Sequence, residues 1–140
     1  MVAALKYKKI NKLALKAPVS DYIDQRLKKY GKVEIDKWKK EGFMKYQKHD
    51  KLLNVSYAFF EDAKKYVMYD KVKDITCPVF IVHGDVDDEV HVEQSKNLVK
   101  CFPHAKLIIL KGADHTLAIN GDSTKGDELF VKWFAGEGAE

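Results

Sequence analysis

The sequence predicts an α/β fold built on parallel strands, and three features carry that prediction. Two short apolar runs, Val79–Val82 and Leu107–Leu110, have the composition of strands buried on both faces of a parallel sheet. Each run gives way to a glycine and polar residues: His83-Gly84-Asp85 after the first, Gly112-Ala113-Asp114-His115 after the second. Polar side chains just beyond the carboxyl ends of such strands stand where open α/β sheets carry their chemistry. Helical stretches alternate with the strands, and that alternation implies right-handed crossovers between parallel neighbours.

The elements follow in the order helix, strand, helical insertion, strand, helix, strand, helix. Residues 2–9 have helix-forming composition but no capping signal before them, so the chain is expected to begin inside an element. A strand is predicted over 12–17, centred on Leu13, Ala14 and Leu15 and ended by Pro18. Ser20 or Asp21 caps the next helix, which places Ile23, Leu27 and Tyr30 on one face and stops at Gly31. From there to about Ile75 the pattern reads as helical and lysine-rich: Val33–Glu41 as one helix, and another from Asn54 or Ser56 to Tyr66. The stretch holding Phe43, Met44, Tyr46, Leu52 and Leu53 between them has no assignment. Tyr57, Phe59, Phe60, Tyr66 and Tyr69, with Tyr46 nearby, read as packing residues of an insertion over about 31–69, with room for one or two to face a substrate. Asp70–Ile75 approaches the central strand, 79–83. A helix over Val92–Phe102, ended by Pro103, turns Leu98, Val99 and Phe102 inward. The strand 106–110 follows, then a last helix from Ser123 or Asp127 to Phe134 that buries Leu129, Phe130 and Trp133. Residues 136–140 read as a frayed tail.

Composition narrows the function classes. At 140 residues the chain is one ordinary domain or part of a larger one, and its 46% hydrophobic content can build a core. It has neither an apolar run long enough for a membrane span nor a signal-peptide pattern, so a cytoplasmic protein with no membrane partner is the expectation. Cys77 and Cys101 lack metal-ligand spacing and read as small buried hydrophobes. Residues 1–74 carry a net charge of +9 and residues 75–140 a net charge of −5. A basic half invites a nucleic-acid reading, but Arg26 is the only arginine among 25 basic residues. Arginine is the usual side chain for bidentate phosphate and base contacts, so the lysines read as a solvated face and no nucleic-acid partner is expected.

The chemistry concentrates after the central strand, where His83, Asp85, Asp87, Asp88, Glu89 and His91 crowd nine positions. A metal site is one reading, but an EF-hand loop counted from Asp85 would need glycine and glutamate where Val90 and Lys96 stand. No metal ligand and no cofactor is assigned. The other reading pairs an acid after one strand with a histidine after the next, able to share a proton.

The run His83-Gly84-Asp85-Val86-Asp87-Asp88-Glu89-Val90 resembles the His-Gly-x-x-Asp-x-x-Val segment of α/β hydrolases, above all the esterase and prolyl-oligopeptidase-like branches. Gly112-Ala113-Asp114-His115 is similar to the Gly-x-x-His segment that carries their catalytic histidine. The resemblance spans nearly the whole chain, and residues 31–69 fall where the family has its variable cap. One departure is His91, where the family often has proline. By this resemblance Asp87 is the triad acid and His115 the general base: a carboxylate on one imidazole nitrogen fixes the tautomer and stabilises the imidazolium formed at the other. Asp85 and Asp88 are then loop residues, Asp85 bonding the turn.

The family order is serine, acid, histidine, with the serine on a Gly-x-Ser-x-Gly elbow, and this sequence has none. Its serines are Ser20, Ser56, Ser95 and Ser123, and Gly121-Asp122-Ser123-Thr124-Lys125-Gly126 has the wrong spacing and follows the histidine. The elbow would fall just before Val2. The resemblance therefore implies one partial domain over 1–140, the C-terminal half of an α/β hydrolase beginning just after its nucleophile and inactive alone. Its strand 12–17 is expected to present an open edge that drives self-association or docks an N-terminal half. A small ester or peptide is the substrate only of the completed fold. Two rivals remain: a non-enzymatic self-associating or partner-binding module, and a metal-dependent phosphatase-like site in which Asp85-Val86-Asp87 resembles the Asp-x-Asp of haloacid-dehalogenase-like phosphatases, against which Glu89 stands where threonine or valine is usual.

Overall fold

The computed structural model describes residues 1–7, 9–48 and 50–137. The chain divides into two compact units, Met1–Ser20 with Met68–Glu140, and Asp21–Val67. The first is built on a parallel sheet of order β1-β4-β5: β1 is Leu13–Lys16, β4 is Val79–Gly84 and β5 is Ala105–Leu110. Leu15 and Leu107 flank Ile81 in register.

Every residue of β4 is buried, because strands lie on both sides of it and helices cover both of its faces. Alternation along the strand sends Val79 and Ile81 one way, against Ala4 of α1 (Val2–Lys6), Val72, Ile75, Leu98 of α4 (Glu93–Leu98) and Phe102. Phe80 and Val82 go the other way, to Leu110, Ala113, Leu117 and the partly buried Leu129, Phe130 and Trp133 of α5 (Thr124–Ala135). There the Phe80 ring stacks on Trp133 at 5.2 Å between centroids. Burying a valine or isoleucine side chain of this kind contributes about 1.5–3 kcal/mol, so β4 is where the unit is most strongly held.

The three strands lie within a residue or two of their expected bounds. The helix expected over 92–102 is α4 followed by a 3-10 turn, Val99–Cys101. The first helix ends at Lys6, short of the expected residue 9; Lys8, and the tail beyond Glu137, lie outside the described residues. Cys77 and Cys101 are half-buried free thiols at the margin of the α4-side core.

The second unit opens with α2 (Tyr22–Glu41), capped by Asp21, whose carboxylate accepts from Asp24 N at 2.9 Å. Ser20, the other candidate cap, is fully buried and does something else: its N–H donates to Gln94 Oε1 at 2.8 Å and its carbonyl accepts from Met68 N at 2.9 Å. These bonds tie the two chain passages that bracket the insertion to each other and to α4. Gly31 breaks α2 with φ 75 and ψ 165, as its place in the sequence predicts, and Gly42 ends it in the left-handed conformation.

Within residues 31–69, expected to be helical, residues 43–56 instead form an antiparallel hairpin, β2 (Phe43–Lys48) with β3 (Lys51–Ser56). In β2, Met44 and Tyr46 are half-buried while Phe43, Lys45 and Gln47 are exposed, a two-residue period that Leu52 and Leu53, both exposed, obscure in the sequence. Ser56 then caps α3 (Tyr57–Ala63) as expected. The core of the unit is Ile35, Trp38 and Phe60, with the Trp38 indole N–H donating to Val55 O at 2.8 Å.

Candidate active site

The site is made where β4 and β5 end side by side. Gly84 closes β4, and a Cβ there would lie 2.0 Å from Ala113 O and 2.6 Å from Asp114 O. Only glycine lets the loop after β4 pass this close to the loop after β5. Three bonds lace the loops together: Asp85 N to Leu110 O at 3.2 Å, Val86 N to Ala113 O at 3.2 Å, and Gly112 N to Asp85 Oδ1 at 2.6 Å. Asp85 thus bonds the turn, as anticipated.

Asp87 is held from its own loop. Its Oδ1 accepts from Glu89 N at 2.9 Å and Val90 N at 2.8 Å, an arrangement that leaves Oδ2 pointing away from the turn. Oδ2 lies 2.9 Å from His115 Nδ1, joining residues 28 positions apart. The Asp87 side chain is 0% exposed and that of His115 36% exposed. A carboxylate oxygen can only accept here, so Nδ1 carries the hydrogen and Nε2 keeps a lone pair on the open side. Glu89 Oε2 lies 3.9 Å from that nitrogen.

The histidine loop has its own brace. Asp114 Oδ1 accepts from Thr116 Oγ1 at 2.7 Å, Thr116 N at 2.7 Å and Ala118 N at 3.0 Å. These bonds, the Thr116 hydroxyl first and the Ala118 N–H next, hold the Asp114 carboxyl below its ordinary range. Leu117 sits at φ 65 with its side chain buried, so the turn beyond His115 is anchored from below.

Of the rest of the cluster, Glu89 reaches the open side of His115 and His83 Nε2 lies 3.1 Å from Asp87 Oδ2, while the others do not converge on the pair. Asp88 and His91 are exposed, and among the described residues no three His, Cys, Asp or Glu side chains are grouped to hold a metal ion. Nor does any of the four serines hydrogen-bond His115 among the described residues. Ser56 caps α3, Ser123 donates to Asp127 at 3.0 Å, Ser20 is in the stem of the insertion, and Ser95 lies 2.6 Å from His83 Nδ1. The sequence places His83 at the head of the family motif and in the acid-rich cluster, without a role of its own, and no local pattern announces its meeting with Ser95 across twelve positions.

A model of the prolyl oligopeptidase family matches residues 7–137. No curated protein matches the chain. Among solved structures, mouse alpha/beta hydrolase domain-containing protein 10 aligns over 97% of this chain and 55% of its own, at 18% identity and a TM-score of 0.75. Est1E from Butyrivibrio proteoclasticus aligns over 96% and 54%, at 22% identity and a TM-score of 0.69. A monoacylglycerol lipase from Paleococcus ferrophilus aligns over 97% and 63%, at 17% identity and a TM-score of 0.64. At such identities the likeness is one of fold: a partial α/β-hydrolase fold, the chain spanning little more than half the length of these relatives.

Proposed function

Because the chain belongs to the prolyl oligopeptidase family, we propose that it is the acid- and base-bearing half of a serine hydrolase acting on a carboxylic ester or a peptide. The observation that carries this is the 2.9 Å contact between a fully buried Asp87 carboxylate and a partly open His115 imidazole, on adjoining strand ends and in the family's order. Asp87 fixes the His115 tautomer. Nε2 then takes the proton of a serine hydroxyl as that oxygen attacks the substrate carbonyl, and returns it to the leaving group. Asp87 stays ionised throughout and stabilises the imidazolium.

No Gly-x-Ser-x-Gly elbow lies within these 140 residues, so on this reading the nucleophile and the oxyanion donor that follows it come from a complementary half. The monoacylglycerol lipase of similar fold supports the ester reading and the family match supports the peptide reading. Without nucleophile and oxyanion donors, the largest contributions to catalysis are missing. The 140 residues alone are therefore expected not to turn over a short-chain nitrophenyl ester. Fused to or mixed with a half bearing a Gly-x-Ser-x-Gly elbow, they are expected to hydrolyse it, and His115→Ala to remove about 10³-fold or more of that rate. Steady turnover by the 140 residues alone, lost on His115→Ala, would defeat the half-site reading.

The β1 edge favours a second reading as a non-enzymatic association module. Among the described residues β1 pairs with β4 alone, so its other edge presents unpaired backbone donors and acceptors. On the first reading that edge receives the strand before the nucleophile; on the second it receives another copy of the chain. A monodisperse monomer by light scattering at high concentration counts against the second.

A further inference from the structure

His83 is the last side chain of β4 before Gly84, and it is fully buried. It shares the alternation of Val79 and Ile81, which turns it to the α4 side of the sheet, where Ser95 waits. Its Nε2 lies 2.8 Å from the carbonyl oxygen of Val90, an atom that can only accept, so Nε2 carries the hydrogen. In the neutral ring Nδ1 is then an acceptor, and the Ser95 hydroxyl at 2.6 Å is its donor. Both ends of the ring are therefore spoken for, and one tautomer satisfies them.

What this ring holds is the peptide that holds the acid. The Val90 carbonyl accepts from His83, while the Val90 N–H donates to Asp87 Oδ1 at 2.8 Å. His83 Nε2 also lies 3.1 Å from Asp87 Oδ2, the oxygen that meets His115, so the positive end of its N–H bond flanks that oxygen. An apolar side chain of the same size would leave the Val90 carbonyl without this donor and the Ser95 hydroxyl without this acceptor. We propose that His83 is a positioning residue for Asp87, acting through Val90 from beneath the acid loop to keep the carboxylate aimed at His115. The proposal rests on the reading of Asp87 and His115 as acid and base.

The test reads tautomers in the intact protein labelled with ¹⁵N-histidine, by long-range nitrogen–proton correlation at mildly alkaline pH. His83 is expected as its Nε2–H form, and His115 chiefly as its Nδ1–H form. His83→Leu is expected to lower the ratio of Nδ1–H to Nε2–H at His115 about tenfold, the scale of one weakened charge-assisted hydrogen bond. His83→Gln, whose amide can present an N–H to the Val90 carbonyl, is expected to restore most of it. Asp87→Asn serves to separate the two claims, since an amide that donates to Nδ1 should invert the His115 ratio. If Asp87→Asn leaves the ratio unchanged, the acid–base reading fails and this proposal with it. If Asp87→Asn inverts it while a folded His83→Leu leaves it unchanged, the positioning role alone is wrong. Should His83→Leu not fold, Ser95→Ala decides: a two- to threefold shift in the same direction supports the role, and no shift, or a wild-type His83 in the Nδ1–H form, overturns it.

Discussion

The sheet unit and the insertion are held together in different ways. Around β4, two clusters of buried residues sit on opposite faces of one strand, and neither depends on a single side chain. The insertion has one cluster, in which the Trp38 ring meets Tyr57 at 5.7 Å and Phe60 at 5.4 Å while its N–H serves Val55. The acid and the histidine both leave from strands of the first unit, so their geometry is backed by the more redundant core. The insertion hangs on one aromatic anchor, Trp38.

The largest effect expected from breaking this contrast is at that anchor. Trp38→Ala should destabilise the insertion by about 3–5 kcal/mol, the usual range for emptying a buried tryptophan site. Native-state amide exchange would then show hairpin amides of β2 and β3 speeding up by about 100-fold or more, with β4 amides unchanged. Parallel acceleration in β4 would mean that the two units unfold as one.

That difference also explains what the sequence disclosed. β4 was legible because burial on both faces writes itself as an unbroken apolar run, and Gly31 was legible because a break in a helix needs a residue free to adopt positive φ. The hairpin was hidden because its strands are mostly exposed, and the turn from Lys48 to Lys51 has neither the glycine nor the asparagine that marks tight hairpins. Asp87 and His115 could be read because each stands at a fixed offset from a strand end. The supports of Asp87 could not: His83 stands in the motif and in the acid-rich cluster with no contact of its own announced, and Ser95 reads as an ordinary helix residue. Their meaning lies in contacts through Val90 that only the folded loop creates.

One substitution made in each unit sharpens the comparison at intermediate scale. Gly84→Ala forces a methyl group to within 2.0 Å of a backbone carbonyl, and backbone cannot move aside as a flexible side chain would. The loss should reach or exceed the upper end of the roughly 1–3 kcal/mol seen for overpacking. Gly42→Ala meets nothing within 4 Å, and its strain comes only from φ +79, which for alanine costs about 1–2 kcal/mol. Urea midpoints for the two variants should therefore differ clearly, with Gly84→Ala the lower. Equal midpoints would mean that the loops after β4 and β5 are not in the close contact on which the site depends.

The smallest expected effect concerns two carboxylates held below their ordinary range by different means. In the insertion, Glu61 is lowered first by its bond to Lys64 and then by the Tyr57 hydroxyl. Beside the site, Asp114 is lowered by the Thr116 hydroxyl and by backbone N–H groups. Each folded-state pKa lies below its unfolded value, so each contribution to stability is present above the unfolded carboxylate range and is lost as pH falls through the folded pKa. Both losses therefore belong to the acid side, below about pH 4. Salt separates them: added chloride should weaken the Glu61 contribution, which rests on an exposed ion pair, more than that of Asp114, whose largest supports are neutral donors and whose only charged support is His115. Acid titrations of Glu61→Gln and Asp114→Asn against wild type at low and high salt would measure this. If the Asp114 contribution were as salt-sensitive as that of Glu61, the brace on the histidine loop would be long-range charge rather than hydrogen bonding, and the loop would lose its local support.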